Sequence, residues 1–198
     1  MATKSRSTGT AVVLLDMLNR YEHDQADELA ATVANALDGV RTLLDRAHEA
    51  GTPVVYVNDN HGDWNSSSEE LSKQALAGRH PELVAPILPR DGDSFVIKAR
   101  HNGFYETPLE YLLGQMRVDR IVFAGQVTEQ CVLYSALDAY VRHFRPVIAV
   151  DAVAAIHEDL AEAALRMMER NMGAELTGAA EVALPEPSLA SRSTDSRG

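Results

Sequence analysis

The sequence holds one cysteine, Cys131. No disulfide can form within the chain, and a small secreted scaffold stapled by disulfides is excluded. Long hydrophobic runs are also missing. The best stretch, Ile121 to Leu137, is broken by Gln126, Thr128, Glu129 and Gln130, short of the ~18 uninterrupted apolar residues that mark a membrane helix. Residues 1–9 carry Lys4 and Arg6 but no apolar signal-peptide core. Basic residues are few, 18 against 29 acidic for a net charge of −11, which argues against a protein that grips a nucleic-acid backbone. No internal repeat, Gly-rich linker or charge block divides the chain, and no Gly-x-Gly-x-x-Gly pattern follows Gly125, so a dinucleotide site is unsupported. These absences lead us to expect a cytoplasmic enzyme or small-molecule binder.

What is present suits one globular domain: 198 residues, 45% of them hydrophobic. Residues 1–9 are expected to form a flexible arm, 10–184 the folded domain and 185–198, rich in Pro, Ser and charge, a disordered tail. Ala11 to Leu15 is a continuous apolar run, as expected for a strand buried on both faces of a parallel sheet. From Ala26 to Ala50, apolar residues recur at spacings of three and four, the mark of a long helix that Gly51 stops. Further strands are expected at Val54 to Val57, Phe95 to Ile97, Ile121 to Ala124, Val147 to Val150 and, weakly, Ala174 to Thr177. Helices are expected at Glu69 to Ala77, Pro108 to Gln115 with Thr107 as N-cap, Glu129 to Phe144 and Leu160 to Met172. Three prolines between Pro81 and Pro89 point to an irregular connection, and Leu165, Met167 and Met168 to helix core. The alternation implies βαβ units: an α/β fold, a three-layer α/β/α sandwich around a mostly parallel, Rossmann-like sheet of about six strands.

In such sheets ligands bind beyond the C-terminal ends of the strands. Asp16 ends the first strand, Lys98 the third, and Cys131 lies six residues past Gly125, where the fourth strand stops. An acid, an amine and a thiol at one sheet edge suggest nucleophilic catalysis. Each has an ordinary reading when taken singly: Asp16 as a loop hydrogen-bond acceptor, Lys98 as a solvated lysine, Cys131 as an inert buried thiol. Placed near a helix start and beside a lysine, however, Cys131 is expected to have a lowered pKa, with the carboxylate accepting its proton.

At these positions the chain resembles the isochorismatase-like cysteine hydrolases, the superfamily of nicotinamidases, N-carbamoylsarcosine amidases and isochorismatases. The likeness spans about Thr10 to Leu184 and rests on VVLLDMLN, FVIKARHNGF, GQVTEQCV and VIAVDAVAA. It implies a hydrolase, an amidase acting on a C–N bond, with a catalytic triad: Asp16 as the general base that takes the Cys131 proton and later helps activate water, Lys98 stabilising negative charge and Cys131 as the nucleophile of a covalent intermediate. It further implies a cis peptide bond at Gln126–Val127, an oxyanion hole from the Val127 and Cys131 backbone N–H groups, and a homo-oligomer. A vinyl-ether hydrolase using Asp16 as general acid and a non-catalytic binding module are the alternatives.

The likeness also raises a metal. Asp59-x-His61 resembles the first part of a nicotinamidase metal site, but Ser67 stands where a further histidine would fall, and His80 lies in the proline-rich connection. Two dependable ligands hold a divalent ion poorly. No cofactor and no metal are expected, and Asp59 and His61 are read as loop-ordering or substrate-binding residues. Trp64 packs under its own loop or walls the pocket with an aromatic face. Arg100 is a candidate for orienting a substrate carboxylate, Asn102, Phe104 and Tyr105 for lining the site. His101, His143 and His157 show no ligand spacing and read as structural or solvated. A small-molecule substrate is expected, with no nucleic-acid or membrane partner.

Overall fold

The computed structural model describes residues 9–184; the expectations for residues 1–8 and 185–198 lie outside the described residues. Six strands form one sheet in the order β3-β2-β1-β4-β5-β6, and every neighbouring pair is parallel. The strands are β1 (Gly9–Leu15), β2 (Val54–Asp59), β3 (Ser94–Lys98), β4 (Val118–Gln126), β5 (Arg145–Ala154) and β6 (Glu175–Thr177). The helices are α1 (Ala26–Ala50), α2 (Ser68–Leu76), α3 (Pro81–Val84), α4 (Leu109–Gln115), α5 (Leu133–Val141) and α6 (Glu158–Met172).

Strand periodicity assigns the two layers. Val12 and Leu14 point to one face, where they pack with Val33, Val40 and Leu43 of α1 and with Leu71 and Val84 of α2 and α3. Ala11, Val13 and Leu15 point to the other, where Leu109 and Leu113 of α4, Ala136 and Ala139 of α5, and Ala164 and Met168 of α6 cover them. Successive strand residues face opposite ways, so a run as apolar as AVVLL requires a helix layer on each side. The sandwich and the near-complete burial of β1 follow from that run.

The differences from expectation have local causes. β4 and β5 begin and end beyond their apolar runs, because Asp119, Arg120 and Arg145 pair at the exposed sheet end, where Arg145 meets Asp119 at 3.1 Å. A register shift then carries β5 on to Ala154, opposite Gln126. The expected irregular connection contains α3 and a 3-10 turn (Ala85–Ile87), each with a proline in its first turn; there a missing N–H costs nothing. α4 begins at Leu109 rather than Pro108, although the Thr107 hydroxyl still accepts from the Leu109 N–H. Met168 is core, whereas Met167 on the same helix is exposed. Among the described residues, no helix is long and apolar enough to cross a membrane.

Candidate active site

The sheet order puts β1 between β2 and β4, so that the crevice lies where the chain reverses direction across the sheet. Asp16 leaves β1 with a left-handed backbone (φ 55°), a conformation aspartate tolerates better than most residues. Its N–H donates to the Val57 carbonyl, and the Asp59 N–H donates to its Oδ1 at 2.8 Å. Lys98 pairs in register with Asp59 at the ends of β3 and β2. Its Nζ lies 2.8 Å from Asp16 Oδ2, 3.6 Å from Asp59 Oδ2 and 3.7 Å from Cys131 Sγ. Asp16, Lys98 and Cys131, from three separate strand ends, thus form one buried contact group.

The cysteine is delivered by an unusual turn. Gly125 (φ 108°) sits opposite Leu15, where a Cβ would come 2.1 Å from the Leu15 carbonyl oxygen. Only glycine allows the strands to approach this closely beside Asp16. The next residue, Gln126, uses the approach: its Nε2 donates to the Asp16 carbonyl at 2.6 Å and its Oε1 faces the Tyr21 hydroxyl at 3.4 Å. The Gln126–Val127 peptide is cis. Residues Thr128–Val132 then make a π-helical turn, in which the Val132 N–H donates to the Val127 carbonyl; this wider turn replaces the first turn of the helix expected from Glu129. π turns recur at functional sites. Two side chains anchor it: Thr128 donates to the Ala154 carbonyl, and Glu129 Oε1 accepts the Ile156 and His157 N–H groups at 3.0 and 2.9 Å.

Electrostatics corrects one expectation. Burial, and after it the Asp16 carboxylate, push the Cys131 thiol above its ordinary range, and Lys98 and the Val127 amide do not offset them. Burial opposes the Lys98 charge as well, but the Asp16 carboxylate, Cys131 and Asp59 outweigh it and hold the ammonium above the usual lysine range. At neutral pH the resting group is therefore a thiol beside an ammonium, because ionising the sulfur would put a new anion next to Asp16 in a space with little water.

A cleft of about 640 Å³ opens at this edge, lined among others by Asp59, Trp64, Lys98, Arg100, His101 and Tyr105. Trp64 is 81% exposed; it walls the cleft rather than packing under its own loop. Phe104 does not line the cleft. It is buried against Phe144, with the Arg142 guanidinium over its ring. Asn102 faces α5, donating to Asp138 at 2.7 Å and accepting from the Phe104 N–H. It orders the loop instead of meeting the cleft.

The residues do not fit a divalent metal. His61 donates to the Leu18 carbonyl, its N–H to Asp59, and His80 pairs with Glu82 while its ring stands edge-on to Tyr21. Among the described residues, no group of three or more His, Cys, Asp or Glu side chains could hold a metal ion.

Sequence reasoning missed four positions. His101 lies with Nδ1 3.7 Å from Cys131 Sγ, which no spacing rule announces. Asn58 clamps the loop after β1 by pairing with both the N–H and the carbonyl of Leu18; the Gln126 and Glu129 side chains have no role in the sequence reading beyond interrupting an apolar run. A polar residue inside such a run was the available signal, since burial obliges it to find partners.

The family model for the isochorismatase domain matches residues 10–181. An isochorismatase family protein of Bacillus subtilis, itself uncharacterised, is 33% identical over 84% of this chain and 92% of its own length. The maleamate amidohydrolase of Pseudomonas putida is 26% identical over 84% of this chain and 82% of its own. Among solved structures, the N-carbamoylsarcosine amidase of Thermoplasma acidophilum superposes with a TM-score of 0.68 at 27% identity, over 88% of this chain and 99% of that one. With a family model matching nearly all of its described length and a relative above 30% identity, the chain belongs to the isochorismatase family.

Proposed function

We propose that the chain is a cysteine amidohydrolase that cleaves the C–N bond of a small amide bearing a carboxylate. The observation carrying this reading is the single contact group of Asp16, Lys98 and Cys131, with Lys98 Nζ touching both Asp16 Oδ2 and Cys131 Sγ. Charge conservation suggests the order of events. Losing the thiol proton to solvent would add a third anion, beside Asp16 and Asp59, against the one Lys98 cation, whereas passing it to Asp16 leaves the site's net charge unchanged. The thiol therefore ionises as it attacks. Sγ bonds to the carbonyl carbon, Asp16 takes the Sγ proton, and the carbonyl oxygen becomes an oxyanion. The Val127 and Cys131 backbone N–H groups are its proposed donors, a type of preorganised stabilisation that dominates many such reactions. Asp16 then gives its proton to the nitrogen as the C–N bond breaks, leaving a thioester on Cys131 and releasing the amine or ammonia. Water hydrolyses the thioester to the acid and the free thiol.

Arg100 in the cleft supports a carboxylate on the substrate, because a guanidinium pairs with it in a fork, and Trp64 offers a flat apolar wall. The maleamate amidohydrolase and the N-carbamoylsarcosine amidase are named for substrates that are themselves carboxylic acids. Ammonia release from maleamate, a ureido acid and the uncharged amide nicotinamide tests the reading. The chain should turn over carboxylate-bearing members in preference, and Cys131→Ala should abolish release by about 10³-fold or more. Undiminished release by Cys131→Ala would overturn the nucleophile and favour the vinyl-ether type of chemistry, in which Asp16 acts as an acid.

A further inference from the structure

We propose that His101 is a second catalytic base, which activates the water that hydrolyses the thioester and returns its proton to the sulfur; this rests on the cysteine amidohydrolase reading. Two side chains meet Cys131 Sγ at 3.7 Å, Lys98 through Nζ and His101 through Nδ1. They differ in access and in chemistry. The Lys98 side chain is 1% exposed and carries a firmly held proton, so it cannot take one from water. His101 is exposed and lines the cleft from which water arrives. Asp16 is buried, with Oδ1 on the Asp59 N–H and Oδ2 against the Lys98 ammonium, so of the bases near Cys131 it is His101 that water in the cleft reaches directly.

The backbone that carries the imidazole is held in place by the two residues that follow His101. Its loop is tied to α5, the helix that follows Cys131, through Asn102 to Asp138 and the Gly103 N–H to the Ser135 hydroxyl at 2.9 Å. Loop and nucleophile therefore sit on one rigid unit, as a base in contact with the reacting atom requires. The step balances. Neutral His101 accepts a proton from water as its oxygen bonds to the thioester carbon; the C–S bond then breaks, and the imidazolium Nδ1–H gives that proton to the departing sulfur. The products are the carboxylic acid, the Cys131 thiol and neutral His101.

p-Nitrophenyl acetate isolates this half, because its leaving group departs without a proton. In the full chain, His101→Gln should keep the initial burst of p-nitrophenolate at the wild-type rate. Its steady-state release should fall about 100-fold, the usual scale for a general base, and mass spectrometry of quenched protein should find the acetyl group on Cys131. Imidazole added to His101→Ala should restore steady release above a Cys131→Ala blank. A His101→Gln chain whose burst and steady rates fall together without acetylated Cys131, or whose steady rate is unchanged, overturns the role of His101 alone. If Cys131→Ala releases p-nitrophenolate as fast as wild type, the cysteine reading falls, and this proposal with it.

Discussion

Asp16→Asn should make Cys131 more reactive toward an alkylating agent while making the chain inactive toward amides. The two effects have opposite sign because Asp16 has two roles under the proposed mechanism: its charge opposes thiolate formation at rest, yet it receives the thiol proton during attack. Lys98 Nζ is 2.8 Å from Asp16 Oδ2 and 3.7 Å from Sγ, so the carboxylate oxygen is at most about 6.5 Å from the sulfur. At the effective dielectric of ~20 suited to such sites, a unit charge at that distance opposes a thiolate by about 2.5 kcal/mol, or about 70-fold in thiolate population. Asparagine keeps the shape and removes the charge. Because a less basic thiolate is also a weaker nucleophile, roughly half of the effect on a logarithmic scale survives in the rate. Iodoacetamide should therefore alkylate Cys131 in Asp16→Asn about tenfold faster than in wild type at pH 7.5, and wild type should itself react more slowly than an ordinary exposed thiol. Amide turnover should fall by about 10²–10⁴-fold in the same protein. Peptide mass spectrometry of timed iodoacetamide quenches, beside an ammonia assay, gives both readings. Equal or slower alkylation in Asp16→Asn would refute the electrostatic account, and unimpaired turnover would refute Asp16 as the base.

Stability should decline in alkali. Cys131, Tyr21 and Tyr56 are all raised, chiefly by burial, so the folded chain holds protons that the unfolded chain releases. That contribution is complete below the ordinary thiol value of about 8.5 and is lost above it, with the tyrosines following above about 10. Thermal unfolding between pH 7 and 10.5 should show a falling Tm, and Cys131→Ser should remove the earliest part of the fall. Gly125→Ala should cost about 3 kcal/mol or more, since its Cβ would overlap the Leu15 carbonyl and its φ is foreign to alanine; urea unfolding measures this, and a loss under 1 kcal/mol would contradict the close approach. Arg100→Gln should raise KM about tenfold for maleamate and leave nicotinamide unaffected, whereas equal effects on both would exclude Arg100 as the carboxylate anchor.

The sequence was most legible where one physical demand decided each residue. AVVLL could only be a strand covered on both faces, and once βαβ alternation set the parallel sheet, Asp16, Lys98 and the turn carrying Cys131 had to lie at one edge. Element lengths were less legible, because pairing at the exposed sheet ends tolerates Arg120 and Arg145, which an apolar-run rule rejects. The thiol's protonation was misjudged for a different reason. A helix start and a lysine are visible in sequence and both favour a thiolate, but burial and the distance to Asp16 exist only after folding, and they are larger. His101 and Phe104 show the same division within one short segment, KARHNGF. The peptide gives no hint that the phenylalanine turns inward to Phe144 while the histidine turns toward the sulfur. That choice follows from the loop's attachment to α5 through Asp138 and Ser135, residues more than thirty positions away. The meeting of Asp16, Lys98 and Cys131 at one edge could therefore be anticipated from the strand ends, whereas the histidine beside the sulfur emerges only once the helix after Cys131 is packed against the loop after Lys98.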